Sequence, residues 1–264
     1  MIEKLVPVLK NYIWGGKKLN NCWNKCANFP IAECWELSVE GIPLLIKLID
    51  AASDLSVQVH PTDEFARVHE GAPCGKTEAW HVLDAEKGSV IYLGLRKDVT
   101  RDELHKAISD GTVLNLLNKI EVQRGQTYLI PSGVLHAIGG GVTVYEIQQN
   151  CNITYRAYDY GRVGADGQAR QLHVDKVTAC ANLAKFTVPP QKDGNLLIKC
   201  KYFTLYRGSG AASLTYNDSF CAVTVVSGEI KLNELPLIKG ETAFVSAGEH
   251  VEVSGSGEYL IATV

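Results

Sequence analysis

Gly125-Gln-Thr-Tyr-Leu-Ile-Pro-Ser-Gly133, followed three residues later by His136, decides how the rest of this chain is read. Thr127–Ile130 is a short run of β-branched, aromatic and aliphatic residues, the composition of a strand, and the Pro-Ser-Gly that follows closes it with a tight turn. The stretch is echoed by Gly240-Glu-Thr-Ala-Phe-Val-Ser-Ala-Gly248, where the glycines, the threonine and the apolar positions recur. A second echo pairs Glu86-Lys-Gly88 before Ser89-Val-Ile with Val226-Ser-Gly228 before Glu229-Ile-Lys. Two copies of one β unit are therefore expected. The turn-rich connector Val188-Pro-Pro-Gln-Lys-Asp-Gly194 lies between them. The organisation predicted is a first domain over 1–187, a linker over 188–194 and a second domain over 195–264.

Further strand signals surround the two copies. Val57–His60, Val82–Leu83, Ser89–Leu93, Val142–Ile147 and Thr154–Tyr158 carry them in the first part. Phe203–Tyr206, Cys221–Val226, Glu229–Leu232, Thr242–Val245 and Val251–Val253 carry them in the second. Short strands punctuated by Gly, Pro and Asn are the rhythm of a sandwich or barrel, so the class is all-β with a few short helices. One helical island stands at about 98–120. Thr100-Arg-Asp-Glu103 reads as a capping box, Leu104, Ala107 and Ile108 share a face, and Gly111 is a stop. A second short helix is expected through Val113, Leu114, Leu116 and Leu117, and another helical turn opens at Thr62.

Gly-x-Thr-x-x-Ile-Pro-x-Gly-x-x-His136 resembles the second half of the cupin pattern, which implies two jelly-roll barrels. In that pattern the Pro-x-Gly turn aims the following histidine into the barrel. Gln58 and His60, two apart, emerge from one face of a strand. Glu78 follows in Gly75-Lys-Thr-Glu-Ala-Trp80, so three strands can bring Gln58, His60, Glu78 and His136 to one point. Two imidazoles, a carboxylate and an amide oxygen suit a catalytic Zn²⁺ with an open position, and would also accept Mn²⁺ or Fe²⁺. In the second copy, Val251 stands where His136 stands, so the site is expected in the first barrel alone. His69, His81, His105, His173 and His250 read as hydrogen-bonded or core residues.

Composition excludes several classes. Of 264 residues, 46% are hydrophobic and 21% charged, and the net charge is −3. No basic surplus points to nucleic acid, and no apolar stretch is long enough to cross a bilayer. Glu3 and Lys4 interrupt the start of the chain where an export signal needs an apolar run, so a cytoplasmic protein is expected. The eight cysteines include no C-x-x-C, and are read as reduced and mostly buried. A ligand set from Cys22, Cys26 and Cys34 lacks a fourth member at suitable spacing.

The chain further resembles the type I phosphomannose isomerases in their short bacterial form. The matching segments run in order: Tyr12-Ile-Trp-Gly-Gly16, Ala32-Glu-Cys-Trp-Glu-Leu-Ser38, Pro43-Leu-Leu-Ile-Lys47, Leu55-Ser-Val-Gln-Val-His-Pro61 and Gly75-Lys-Thr-Glu78. Ile130-Pro-Ser-Gly-Val-Leu-His136, Val144-Tyr-Glu-Ile-Gln-Gln149 and Thr154-Tyr-Arg-Ala-Tyr-Asp-Tyr-Gly161 complete them. The resemblance implies interconversion of mannose 6-phosphate and fructose 6-phosphate with one zinc ion per chain, held by Gln58, His60, Glu78 and His136. It implies a catalytic role for Arg156 and Glu146, and places Lys47, Ser56 and Lys76 against the substrate. Longer members carry Asp where this chain has Asn152, and they carry a large helical insertion that is absent here.

Such an isomerisation moves a proton between C1 and C2 through an enediolate; candidates for the base are Glu146, Lys76 and a water on the ion. Arg156 suits an oxyanion or phosphate because its planar guanidinium stays charged; the alternative is an ion pair with Asp159. Lys47 alternates out of an apolar strand, toward solvent unless the strand lines a barrel. Trp14, Trp35 and Trp80 are read as core for at least two of the three, and Gly139-Gly-Gly141 as a flexible turn at the barrel rim. Rival readings on the same scaffold are an iron or manganese cupin (an oxygenase or a glucose-6-phosphate isomerase) and a non-enzymatic sugar-binding cupin. A monomer or homodimer is expected.

Overall fold

The computed structural model describes residues 1–163 and 167–264. They form four antiparallel sheets that face each other in pairs, which makes two barrels. In the first barrel, a six-stranded sheet runs in the order Val8–Lys10, Glu33–Leu37, Leu44–Ala51, Val142–Gln149, Glu78–Ala85, Thr127–Ile130. It faces a five-stranded sheet ordered Tyr155–Tyr158, Val57–Val59, His136–Ile138, Val90–Leu95, Leu117–Glu121. The second barrel is built likewise from Leu196 onward, but its six-stranded sheet takes one edge strand, Ile2–Lys4, from the beginning of the chain.

The repeat corresponds to repeated geometry. Gly125 and Gly240 have φ of 90° and 88°, and Gly133 and Gly248 have φ of 84° and 77°. These left-handed values explain why glycine recurs where each β unit opens and closes. Register agrees as well: Glu78 pairs with Ile130 in the first barrel, and Cys221 pairs with Val245 in the second.

The strands Leu44–Ala51 and Val142–Gln149 are buried at all eight positions each. Both faces of that sheet are covered. One set of side chains, including Ile49, Val144 and Trp80, fills the first barrel. The alternate set, including Ile46, Leu48, Tyr145 and Ile147, meets Phe203, Leu205, Ala222 and Leu260 of the second barrel's six-stranded sheet. Each such large apolar group contributes about 1.5–3 kcal/mol when fully buried, so the seam is an extended core and not a loose contact. The period-2 alternation of a strand thus becomes apolar on one face and mixed on the other.

The helical island stands over the five-stranded sheet. Thr100 Oγ1 accepts from Glu103 N at 3.1 Å and Glu103 Oε2 accepts from Thr100 N at 2.7 Å, the capping box expected for the helix Arg101–Ser109. Leu104, Ala107 and Ile108 are buried beneath it. The second short helix is a single 3₁₀ turn, Val113–Leu116, and Leu117 already begins the next strand. Thr62 caps the helix Asp63–Glu70.

Two expectations are corrected. Only Cys34, Cys151 and Cys221 of the eight free cysteines are buried, while Cys22 and Cys26 are exposed. Cys34 Sγ lies 3.0 Å from Glu36 Oε1, away from any metal-ligand role. Gly139–Gly141 is a packed turn: Gly140 N donates to Asp54 Oδ1 at 2.7 Å, Ser89 Oγ donates to Gly140 O at 2.9 Å, and a side chain at Gly139 would collide with the Val90 carbonyl. Its glycines serve close approach between backbones, which fixes the turn. Among the described residues no helix is long and apolar enough to cross a membrane.

Candidate active site

His60, Glu78 and His136 are the one group of metal-capable His, Cys, Asp or Glu side chains found among the described residues, and their donor atoms lie within 4.8 Å of one another. All three are buried to 1% exposure or less. His136 opens the strand after the Pro-Ser-Gly turn, Glu78 opens the strand across the barrel, and His60 follows Val57–Val59. The two imidazoles are oriented alike. His60 Nδ1 lies 2.9 Å from Ile153 O, and His136 Nδ1 lies 2.8 Å from Val134 O. A proton on each Nδ1 donates to its carbonyl, which leaves each Nε2 lone pair facing the barrel interior.

Those lone pairs meet Glu78. His60 Nε2 is 3.4 Å from Glu78 Oε2, and His136 Nε2 is 3.4 Å from Glu78 Oε1. His136 Nε2 and both Glu78 oxygens are sealed from solvent without a directed hydrogen bond. Lys76 is the cation that reaches them, with Nζ 2.7 Å from Glu78 Oε2 and 3.1 Å from His60 Nε2. Burial, then the Lys76 charge, pushes the His60 pKa down to about 3, so the ring is a neutral donor. Burial alone would raise Glu78, but Lys76 and His60 more than offset it and hold the carboxyl well below its usual range. Two neutral imidazoles and a carboxylate converging in a dry interior, with Lys76 as their one cationic neighbour, fit a divalent cation.

Gln58 lies directly opposite His136 on one neighbouring strand and Arg156 on the other, so the three side chains share the inward face. It lines a pocket of about 190 Å³ together with Lys47, Ser56, Lys76, Glu146, Asn152 and Arg156. A second inward row crosses the opposite sheet: Lys47 pairs with Glu146, and Glu146 with Trp80. The barrel lining therefore turns Lys47 inward. Its Nζ is 3.0 Å from Glu146 Oε1 and 3.6 Å from Glu33 Oε2. These carboxylates outweigh the lowering effect of burial and raise its pKa. Trp80 Nε1 donates to Glu146 Oε2 at 2.9 Å, which fixes the carboxylate from its other side. Trp80 and Trp14 are core residues, and Trp35 stands beside the pocket with Lys47 over its ring at 5.3 Å.

Arg156 is not the partner of Asp159. Asp159 is occupied by Arg170, with Nε 2.7 Å from Oδ2 and Nη2 2.5 Å from Oδ1, and by Arg162. Among the described residues the Arg156 side chain donates only to the Gln171 carbonyl, at 3.0 Å from Nη1, and its Nε is buried without a hydrogen-bond partner there. Burial, then the neighbouring Arg170 charge, lowers its pKa. Sequence reasoning missed Arg170, Glu33 and Tyr12 as pocket-lining residues. No periodic pattern or motif marks Arg170; only its meeting with Asp159 places it. The histidines read as structural behave so where they are paired: His81 Nδ1 lies 2.8 Å from Thr127 Oγ1, and His173 Nδ1 accepts from Arg156 N at 2.9 Å.

A larger crevice, about 480 Å³, is lined by residues of both barrels, His81 and Arg207 among them, and includes none of Gln58, His60, Glu78, His136, Glu146 or Arg156. The smaller one is the candidate reactive site, because it brings buried donors and convergent charge together.

No protein-family model matches the chain. Individual relatives do. The chain is 34% identical to the mannose-6-phosphate isomerase ManA of Bacillus subtilis, over 97% of this chain and 94% of that protein. It is 33% identical to the mannose-6-phosphate isomerase of Streptococcus mutans, over 89% of this chain and 77% of that protein. The crystal structure of the mannose 6-phosphate isomerase from Bacillus subtilis superposes with a TM-score of 0.91 at 28% identity, covering 99% of both chains. With that identity spread over nearly the whole of both sequences, and with the double-barrel fold in common, the chain belongs to the mannose-6-phosphate isomerase family.

Proposed function

We propose that this protein interconverts D-mannose 6-phosphate and D-fructose 6-phosphate through an enediolate, with one zinc ion held by His60, Glu78, His136 and Gln58. The observation that carries the reading is the pair of Nδ1-anchored imidazoles whose Nε2 atoms converge on the buried Glu78 carboxylate, whose one cationic neighbour is Lys76. An ion in that position supplies Lewis-acid polarisation of the sugar carbonyl and of the enediolate oxygen.

The chain's own groups do the rest. Glu146 Oε1 faces the pocket beside Lys47, and Trp80 fixes the carboxylate's orientation, which suits it to carry the proton between C1 and C2. Lys76, 3.9 Å from Glu146, stands where it can hydrogen-bond the reacting oxygens. Ser56 and Asn152 line the wall that orients the sugar hydroxyls. Arg156 binds negative charge, since among the described residues it forms no ion pair with a carboxylate. Residues 195–264 act as a structural partner whose barrel is filled by apolar side chains. Eight free thiols suit a reducing compartment, and we place the reaction in the cytoplasm.

The test is a coupled assay on purified protein with mannose 6-phosphate, before and after chelation and with zinc added back. Activity lost on chelation and restored by zinc is expected. Turnover that survives complete removal of the ion would refute the reading.

A further inference from the structure

The charged groups in and around the pocket fall into two clusters. In one, Lys47 and Lys76 face three carboxylates, Glu33, Glu78 and Glu146. In the other, Arg156, Arg162 and Arg170 gather around Asp159, their one carboxylate among the described residues. Like charges gathered without counter-charge are unfavourable unless a ligand supplies it. Arg162 is spent on structure, for it also donates to the Asp54 carbonyl at 2.5 Å and lies over the Tyr160 ring. Arg170 differs. Asp159 grips its Nε and one terminal nitrogen side-on, Nη1 makes no hydrogen bond among the described residues, and the residue lines the pocket beside Arg156.

We propose that Arg170 is a substrate-binding residue that, together with Arg156, grips the phosphate dianion of the hexose and so selects phosphorylated over unphosphorylated sugar. Asp159 is its positioning residue: a bidentate carboxylate–guanidinium pair fixes the plane of the fork and removes the rotamer freedom that binding would otherwise have to restrict. The inference rests on the isomerase reading for the identity of the sugar, but the anion grip itself does not.

The experiment measures inorganic phosphate binding by calorimetry, and steady-state kinetics with mannose 6-phosphate, for the wild type, Arg170→Ala and Arg162→Ala. Expected for Arg170→Ala is a weakening of phosphate binding by about 10- to 100-fold and a similar rise in KM, with kcat within about threefold. Arg162→Ala, which loosens the same Asp159 without lining the pocket, is expected to change phosphate affinity less than about threefold. Equal losses in both variants would assign Arg170 a structural role, and unchanged phosphate affinity in Arg170→Ala would remove it from the site; either overturns the proposal. If the wild type fails to turn over mannose 6-phosphate yet Arg170→Ala still loses phosphate affinity, the isomerase reading fails and the anion grip stands.

Discussion

The two barrels of this protein are the same β unit filled differently. In the first, the inward rows carry Lys47, Lys76, Glu78, Glu146, His60 and His136, all buried. In the second, Val223, Val225, Ile230, Leu232, Val251 and Tyr259 fill the interior. The correspondence holds residue by residue: Cys221 has the register position of Glu78, and Val251 the repeat position of His136. A barrel with an apolar interior holds itself together by packing alone. One with buried ionisable groups needs each charge matched, and the atoms left without a directed partner, His136 Nε2 and Glu78 Oε1, are where a ligand is expected.

Exchanging those residues tests the comparison most severely. His136→Val, which makes the first barrel resemble the second, is expected to lower isomerase turnover at least about 10³-fold and to remove bound metal, read by assay and elemental analysis. The reciprocal Val251→His is expected to bind no metal, because no carboxylate or imidazole faces it, and to cost about 1–3 kcal/mol for a buried polar ring without a partner. Full activity in His136→Val would mean that the polar interior is not the reactive one.

A smaller effect is expected from pH. Burial, then Lys76, pushes His60 down to about 3, and burial, then Arg207 and Arg124, pushes His81 down to about 4. Both would titrate near 6.5 in an unfolded chain, so between these values the unfolded state binds more protons. Stability is then fully present above pH 6.5 and is lost as pH falls toward 4, on the order of a few kcal/mol for the metal-free protein. The second barrel's one histidine, His250, is exposed. Urea unfolding of metal-free protein between pH 7 and 4.5 measures it; a flat profile would contradict the burial of neutral imidazoles.

The smallest effect belongs to the helical island that only the first barrel carries. Thr100→Ala removes one arm of the capping box and is expected to cost about 1 kcal/mol of stability while kcat and KM stay unchanged. Thermal unfolding and the isomerase assay report the two quantities separately. A change in turnover would tie the island to the site, contrary to its place over the outer face of the five-stranded sheet.

Much was determined by the sequence alone. Glycines at the ends of each β unit, the capping box at Thr100, and the Pro-Ser-Gly turn before His136 act through local backbone sterics, and neighbouring residues suffice to read them. The spacing of Gln58 and His60 follows from the strand period in the same way. Tertiary structure decided whatever depends on what covers a strand's second face. Lys47 points inward because the second barrel buries the other side of its strand, a contact made with residues more than 150 positions away. Among the described residues Arg156 has no ion pair, because Asp159 is held by Arg162 and Arg170, a competition among three guanidiniums that only their spatial meeting settles. Local rules fix backbone shape, whereas long-range packing chooses the partner of each charge.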